Sequence, residues 1–258
     1  MSNIAIQRYG FLATLMLVFI LSACALNAER LEALSVTQVD GLRMQADAGR
    51  DDTALAQLQR AARASNVHAQ RALGSVLINR STPLADKALA NDGLRWLGIA
   101  AKAGDADAQL LLGKIYLNGS TTISTNKTQA RAWFLRAAQT SSNRRAAYYL
   151  GVMDRSGYGG PVDHAASVRW LQIAADAGLP DAMFLLGNAY TSGEGAPEDR
   201  RSAMHWYMQA AALEHPLALQ EIAYAFQDGG RGLPRSAYQS LQMMRGVDHA
   251  LRHAKATP

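Results

Sequence analysis

The chain has 258 residues, 49% hydrophobic and 18% charged, with a formal net charge of +5. Its single cysteine, Cys24, excludes an intramolecular disulfide, so the fold must rest on packing alone. A basic balance points first to nucleic acid, but the export signal described next excludes that partner. What remains is a mildly basic surface or a partner of acidic character, such as an anionic polysaccharide or lipid headgroups.

Residues 1–23 read as a lipoprotein signal peptide. Arg8 supplies the positive start, and the apolar run from Phe11 to Leu21 is shorter than the roughly 20 residues a membrane span needs. Leu21-Ser22-Ala23-Cys24 resembles the lipobox of bacterial lipoproteins. That resemblance implies cleavage before Cys24 and acylation of its thiol. Ala25, in place of an Asp retention signal, implies sorting to the outer membrane, facing the periplasm. Residues 24–53 are expected to hold the lipidated N-terminus and a capping helix, with Leu31, Leu34, Val39, Leu42 and Met44 on a loose stripe. No Pro/Gly/Ser-rich tether follows Cys24, which would keep the folded part close to the membrane surface.

A degenerate unit then recurs. Trp96, Trp133, Trp170 and Trp206 stand 37, 37 and 36 residues apart. Each is followed by an Ala-Ala pair, a further Ala, and a small residue at Gly113, Gly151, Gly187 or Ala223. A loop glycine closes each unit, at Gly119, Gly157, Gly193 and Gly229. A fixed period in this range marks stacked helix pairs. The first helix carries the Trp, and in the best-marked unit Asp105 is a plausible N-cap for the second. The small residues mark close helix crossings, the loop glycines leave the helix with positive φ, and the Trp170 ring reads as a buried packing residue. A weaker first unit has Gln57 at the Trp position and Arg80 at the loop glycine. Asp154 departs from the Tyr or Phe at the equivalent place in the Trp-bearing units.

These columns, with GEGAPED from Gly193 to Asp199, resemble the Sel1-like repeat, a relative of the tetratricopeptide repeat. The resemblance implies an all-α, right-handed α-solenoid of about five helix pairs over residues 54–236. N- and C-terminal capping helices complete it, the latter in residues 237–258. It also implies a protein-interaction scaffold, similar in plan to the lipoprotein scaffold of alginate secretion. Thr82-Pro83 reads as a helix start, Ser120 to Asn126 as the longest irregular connection, and Ser240 as the residue at the missing Trp of a final half-unit.

No residue set points to catalysis, a metal or a cofactor. Ser124-Thr125-Asn126-Lys127 matches S-x-x-K, but its companions S-D-N and K-T-G are absent, and Thr125 or Asn126 better serves as a helix cap. His249 and His253 share a helix face without a Glu between them and with Arg252 beside them, which reads as a solvated capping helix. The Gly-rich stretches all fall at one phase of the repeat and are turns. Candidate partner-binding residues lie at variable columns: Arg169 with Gln172, and His205 with Gln209. The Tyr148-Tyr149 pair adds a possible anchor. The expected function is a membrane-anchored scaffold in an envelope assembly, with exopolysaccharide secretion as one setting. The alternatives are a regulator binding a periplasmic sensor or enzyme, and a cell-wall hydrolase or β-lactamase-like enzyme.

Overall fold

The computed structural model describes residues 34–141, 143–229 and 233–256; the signal segment, Cys24, Leu31 and Gly230 to Gly232 lie outside them. Twelve helices and no strand are found among the described residues. They are α1 (Val36–Asp47), α2 (Asp52–Arg63), α3 (Val67–Leu84), α4 (Lys87–Lys102), α5 (Ala106–Asn118) and α6 (Lys127–Ser141). Then follow α7 (Arg144–Ser156), α8 (His164–Asp176), α9 (Pro180–Ser192), α10 (Arg200–Ala212), α11 (Pro216–Asp228) and α12 (Ala237–Ala256). Five pairs, from α2–α3 to α10–α11, are flanked by α1 and α12, the all-α repeat plan expected. The helices gather into two units. The first ends at Leu112 and includes Ser120–Ser124; the second takes Gly113–Gly119 and the residues from Thr125.

In the first unit, α1 opens on a capping box. The Ser35 hydroxyl accepts from the Gln38 amide, and the Gln38 side chain accepts from the Ser35 amide at 2.9 Å. The core is built of small and branched side chains: Ala54, Leu58, Ala61, Leu73 and Val76 are all fully buried. The facing glycines Gly74 and Gly93 let α3 and α4 come within backbone contact, where a Cβ on Gly74 would sit 2.8 Å from the Gly93 carbonyl. Arg80 does not form the turn that a glycine would there. It stays helical, its guanidinium donating to the Ala46 carbonyl that ends α1 and to Asp52 at 2.9 Å.

The chain therefore runs on to Leu84, and Ala85 takes the left-handed position with φ 51°. Thr82-Pro83 is the last turn of α3 and not a helix start. Pro83 forfeits one amide bond near the helix end, where the loss is small, and the next helix begins after Asp86, which caps Leu89 at 3.0 Å. The loop from Ser120 is pinned: Ile123 is buried, and the Ser120 amide donates to its carbonyl at 2.7 Å.

In the second unit the small column behaves as expected, but its partner is the next unit's first helix. A Cβ on Gly113 would fall on Phe134, on Gly151 against Leu171 Cγ, and on Gly187 against the Tyr207 ring. Those residues directly follow the tryptophans. Leu97, Phe134, Leu171 and Tyr207 are all at most 1% exposed, whereas all four tryptophans are only half-buried. Trp170 is thus no core residue; its ring leans on the cluster of Leu171, Ala174, Met183 and Leu186 while one edge meets solvent. Tyr207 brings a hydroxyl into this layer, and it donates to Asn188 Oδ1 at 2.7 Å.

The loop glycines Gly119, Gly157, Gly193 and Gly229 all have φ between 67° and 72°. After each, the N-cap amide of the following helix returns to a carbonyl of the helix just left. The bonds run from Asn126 to Tyr116, Asp163 to Asp154, Asp199 to Tyr190 and Ser236 to Phe226, at 2.7–2.9 Å. Trp133, Trp170 and Trp206 each lie seven residues after that cap. Counting from Ser236 puts Met243, packed on the Tyr207 cluster, at the Trp position. Ser240 instead occupies the buried small column of Ala130, Ser167 and Ala203.

Candidate functional site

The shorter turns, from the first helix of a pair to the second, build a recurring clamp. In the first unit the Asp105 carboxylate caps α5 by accepting from the Ala108 amide at 2.7 Å. Two side chains of α3, two and five residues past its own cap Asn66, reach that carboxylate. His68 Nδ1 lies 3.7 Å and Arg71 Nε 3.4 Å from Asp105 Oδ2, and Arg71 Nη1 donates to Asp107 at 2.6 Å. His68, Arg71 and Asp107, with Asp40, Arg43 and Ser75, border a polar cleft of about 270 Å³.

In the second unit the same columns hold different chemistry. His215 caps α11, its Nδ1 accepting from the Ala218 amide at 3.2 Å. That bond leaves the proton on Nε2, 3.5 Å from Asp181 Oδ1. Asp181 stands two residues past Leu179, as His68 does past Asn66. Phe184, five past, stacks on the His215 ring at 4.8 Å. The hydrogen bond from His215 holds the Asp181 carboxyl below the usual carboxylate value. On α7 the residue five past its cap Asn143 is Tyr148. Burial, then the negative charge of Asp181 and then Tyr149, push its phenol up, so it stays a neutral hydrogen-bonding group.

Of the residues expected to bind a partner, Tyr148 lies on this face. Tyr149 lies flat on Phe134 at 4.7 Å, which commits one of its faces to packing. Arg169 and Gln172 lie on α8, and His205 and Gln209 on α10, beside the exposed Ile173 and Met208. Gln172 donates to Asp176 at 2.8 Å, Gln209 bonds His205 at 2.8 Å, and His205 meets the Trp206 ring edge-on. These four belong to first helices and Tyr148 to a second helix, so they form two groups. Cys24 lies outside the described residues.

The sequence marks Asp105 only as an N-cap and does not single out its partners His68 and Arg71, nor Asp181, Phe184 and His215. The available signal was the N-cap column read together with the columns two and five residues after it. In the S-x-x-K stretch, Asn126 caps α6 by accepting from the Gln129 amide at 3.0 Å, and the Lys127 ammonium sits 3.7 Å over the Tyr158 ring. Among the described residues no group of three or more His, Cys, Asp or Glu side chains is placed to hold a metal.

The Sel1 repeat model matches residues 67–105, 106–139, 144–179 and 180–215. Each match pairs a second helix with the first helix that follows, as in α3–α4. The structure is similar to that of a Sel1 repeat protein from Oxalobacter formigenes, with a TM-score of 0.65 and 21% identity, over 83% of this chain and 85% of that one. It is also similar to a protective antigen of uropathogenic Escherichia coli strains with an SLR fold, with a TM-score of 0.56 and 20% identity, over 86% of this chain and 56% of that one. No curated protein matches the sequence. Four consecutive family matches, on helix pairs that pack in the same phase, show that this chain belongs to the Sel1 repeat family and has its α-solenoid fold.

Proposed function

We propose that this protein is a lipid-anchored scaffold at the periplasmic face of the outer membrane, binding another protein of an envelope assembly, with exopolysaccharide secretion as its setting. Proteins of Sel1 repeats are generally protein-interaction scaffolds and typically non-enzymatic. The observation that carries the reading is the clamp: the same three columns hold Asp105, His68 and Arg71 in one unit and His215, Asp181 and Phe184 in the other. Side chains at these columns change charge and shape while the helices beneath keep their packing, which suits recognition of a large partner. The lipobox-like Leu21 to Cys24 supports the anchor.

Site-specific photo-crosslinkers at Tyr148 and Arg71 in intact cells should trap one or a few envelope proteins. Cys24→Ser should leave an uncleaved precursor or a soluble periplasmic form without an acyl mass. Unchanged outer-membrane fractionation of that variant, with no acyl group on the natural chain, would overturn the anchor. Hydrolysis of peptidoglycan or a β-lactam by the purified chain, lost in Ser124→Ala, would replace the scaffold with an enzyme.

A further inference from the structure

The geometry points to a binding site for a late first-row divalent cation, Cu(II), Ni(II) or Zn(II), held by His249 and His253 with Glu214 behind them. The two histidines are one turn apart on α12, and their Nε2 atoms converge to 3.1 Å. With metal–nitrogen bonds of about 2.0–2.1 Å, that separation subtends roughly 95–102° at a shared ion. The angle falls between the right angle of square-planar or octahedral sites and the tetrahedral value, so the pair needs little adjustment to chelate.

Two neutral imidazoles at this distance share a single proton, one ring donating and the other accepting. Glu214 biases the choice through its charge, from beyond hydrogen-bond distance. Its carboxylate lies 3.9 Å from His249 Nδ1, favouring the proton on that nitrogen and leaving the His249 Nε2 lone pair turned toward His253. A carboxylate behind the non-ligating nitrogen is the usual support of a metal-bound histidine. His253 has only to carry its proton on Nδ1 for both lone pairs to face the ion.

Glu214 comes from the turn between α10 and α11, where its φ is 59°. Two equivalent turns place Gly104 and Gly178 there, at φ 93° and 80°, and a third places Ser65 at 66°. A left-handed glutamate is strained where glycine is not, and here the strained residue is the one that reaches His249. All three residues belong to one unit, and the site is open to solvent, with His249 and Glu214 each about 60% exposed. Only two protein nitrogens would bind the ion, and water completes its coordination. Arg252 is adjacent in sequence, and its charge opposes a cation.

Calorimetric titration of the full chain with CuCl2, NiCl2 and ZnCl2 tests the site. One ion per chain is expected, bound most tightly for copper. His253→Gln and His249→Gln should each weaken binding at least tenfold with the helical circular dichroism unchanged, and Arg252→Gln should tighten it. Glu214→Gly should weaken binding severalfold while raising the melting temperature, because it removes the carboxylate and the strain together. Absence of stoichiometric binding to the natural chain would overturn the site. So would binding that survives both histidine substitutions, since the ion would then sit elsewhere, and so would a Glu214→Gly variant with higher stability and unchanged affinity.

Discussion

At the scale of single residues, Asp154 shows what a departure from a repeat consensus costs. The equivalent positions hold Tyr116, Tyr190 and Phe226. Asp154 is 1% exposed, with one carboxylate oxygen bound by Arg131 and the other without a hydrogen-bond partner. Burying that charge is tolerable only while the guanidinium stays. Arg131→Ala should therefore destabilise the protein by about 3–5 kcal/mol in urea denaturation, as breaking one side of a buried pair does. Replacing both partners, as Arg131→Leu with Asp154→Phe, should be neutral or stabilising, because the neighbouring repeats show that this place accepts an aromatic ring. If the double variant were as unstable as Arg131→Ala, the pair would be needed for more than charge balance.

At the scale of helices and turns, legibility followed how local the cause was. The loop glycines and the cap at Asn126 were readable because each depends on a few adjacent residues. Thr82-Pro83 misled because the usual proline signal is local, whereas the end of α3 is set by Arg80 gripping Ala46 and Asp52, some thirty residues earlier. The Trp position of the last helix was misplaced because nothing in the sequence marks where the loop after Gly229 ends; the Ser236 amide does. The clamps were faint for a related reason: Asp181 and His215 are both unremarkable at a helix start, and only stacking brings them together.

That clamp has a pH signature. The Asp181 carboxyl is held below its ordinary value, so its contribution is fully present above the unfolded value of about 3.9 and is lost as pH falls through the lower folded value. Asp181→Asn should be less stable than the natural chain at pH 7, and the gap should close only below about pH 4. Urea midpoints at pH 7, 5, 3 and 2 for both proteins check this; a gap that closes between pH 7 and 5 would assign the effect to another group.

At the scale of the whole molecule, an array of this kind has no single core, and each layer touches only its neighbours. The second unit shows the consequence. Leu171, 1% exposed, fills the space beside Gly151, where even a methyl group would collide with it. Leu171→Ala opens a cavity between α7 and α8 and should cost about 2–5 kcal/mol. Trp170→Ala should cost less despite the larger deletion, because the ring is half-buried and water reaches the space it leaves. The damage should also be local. In hydrogen exchange, amides of α7, α8 and α9 in Leu171→Ala should lose protection first, while α2 and α3 of the first unit keep theirs. Uniform loss of protection across all described helices would mean that the layers unfold as one body. The side-chain changes at the clamp columns would then be far less free than the nearest-neighbour picture requires.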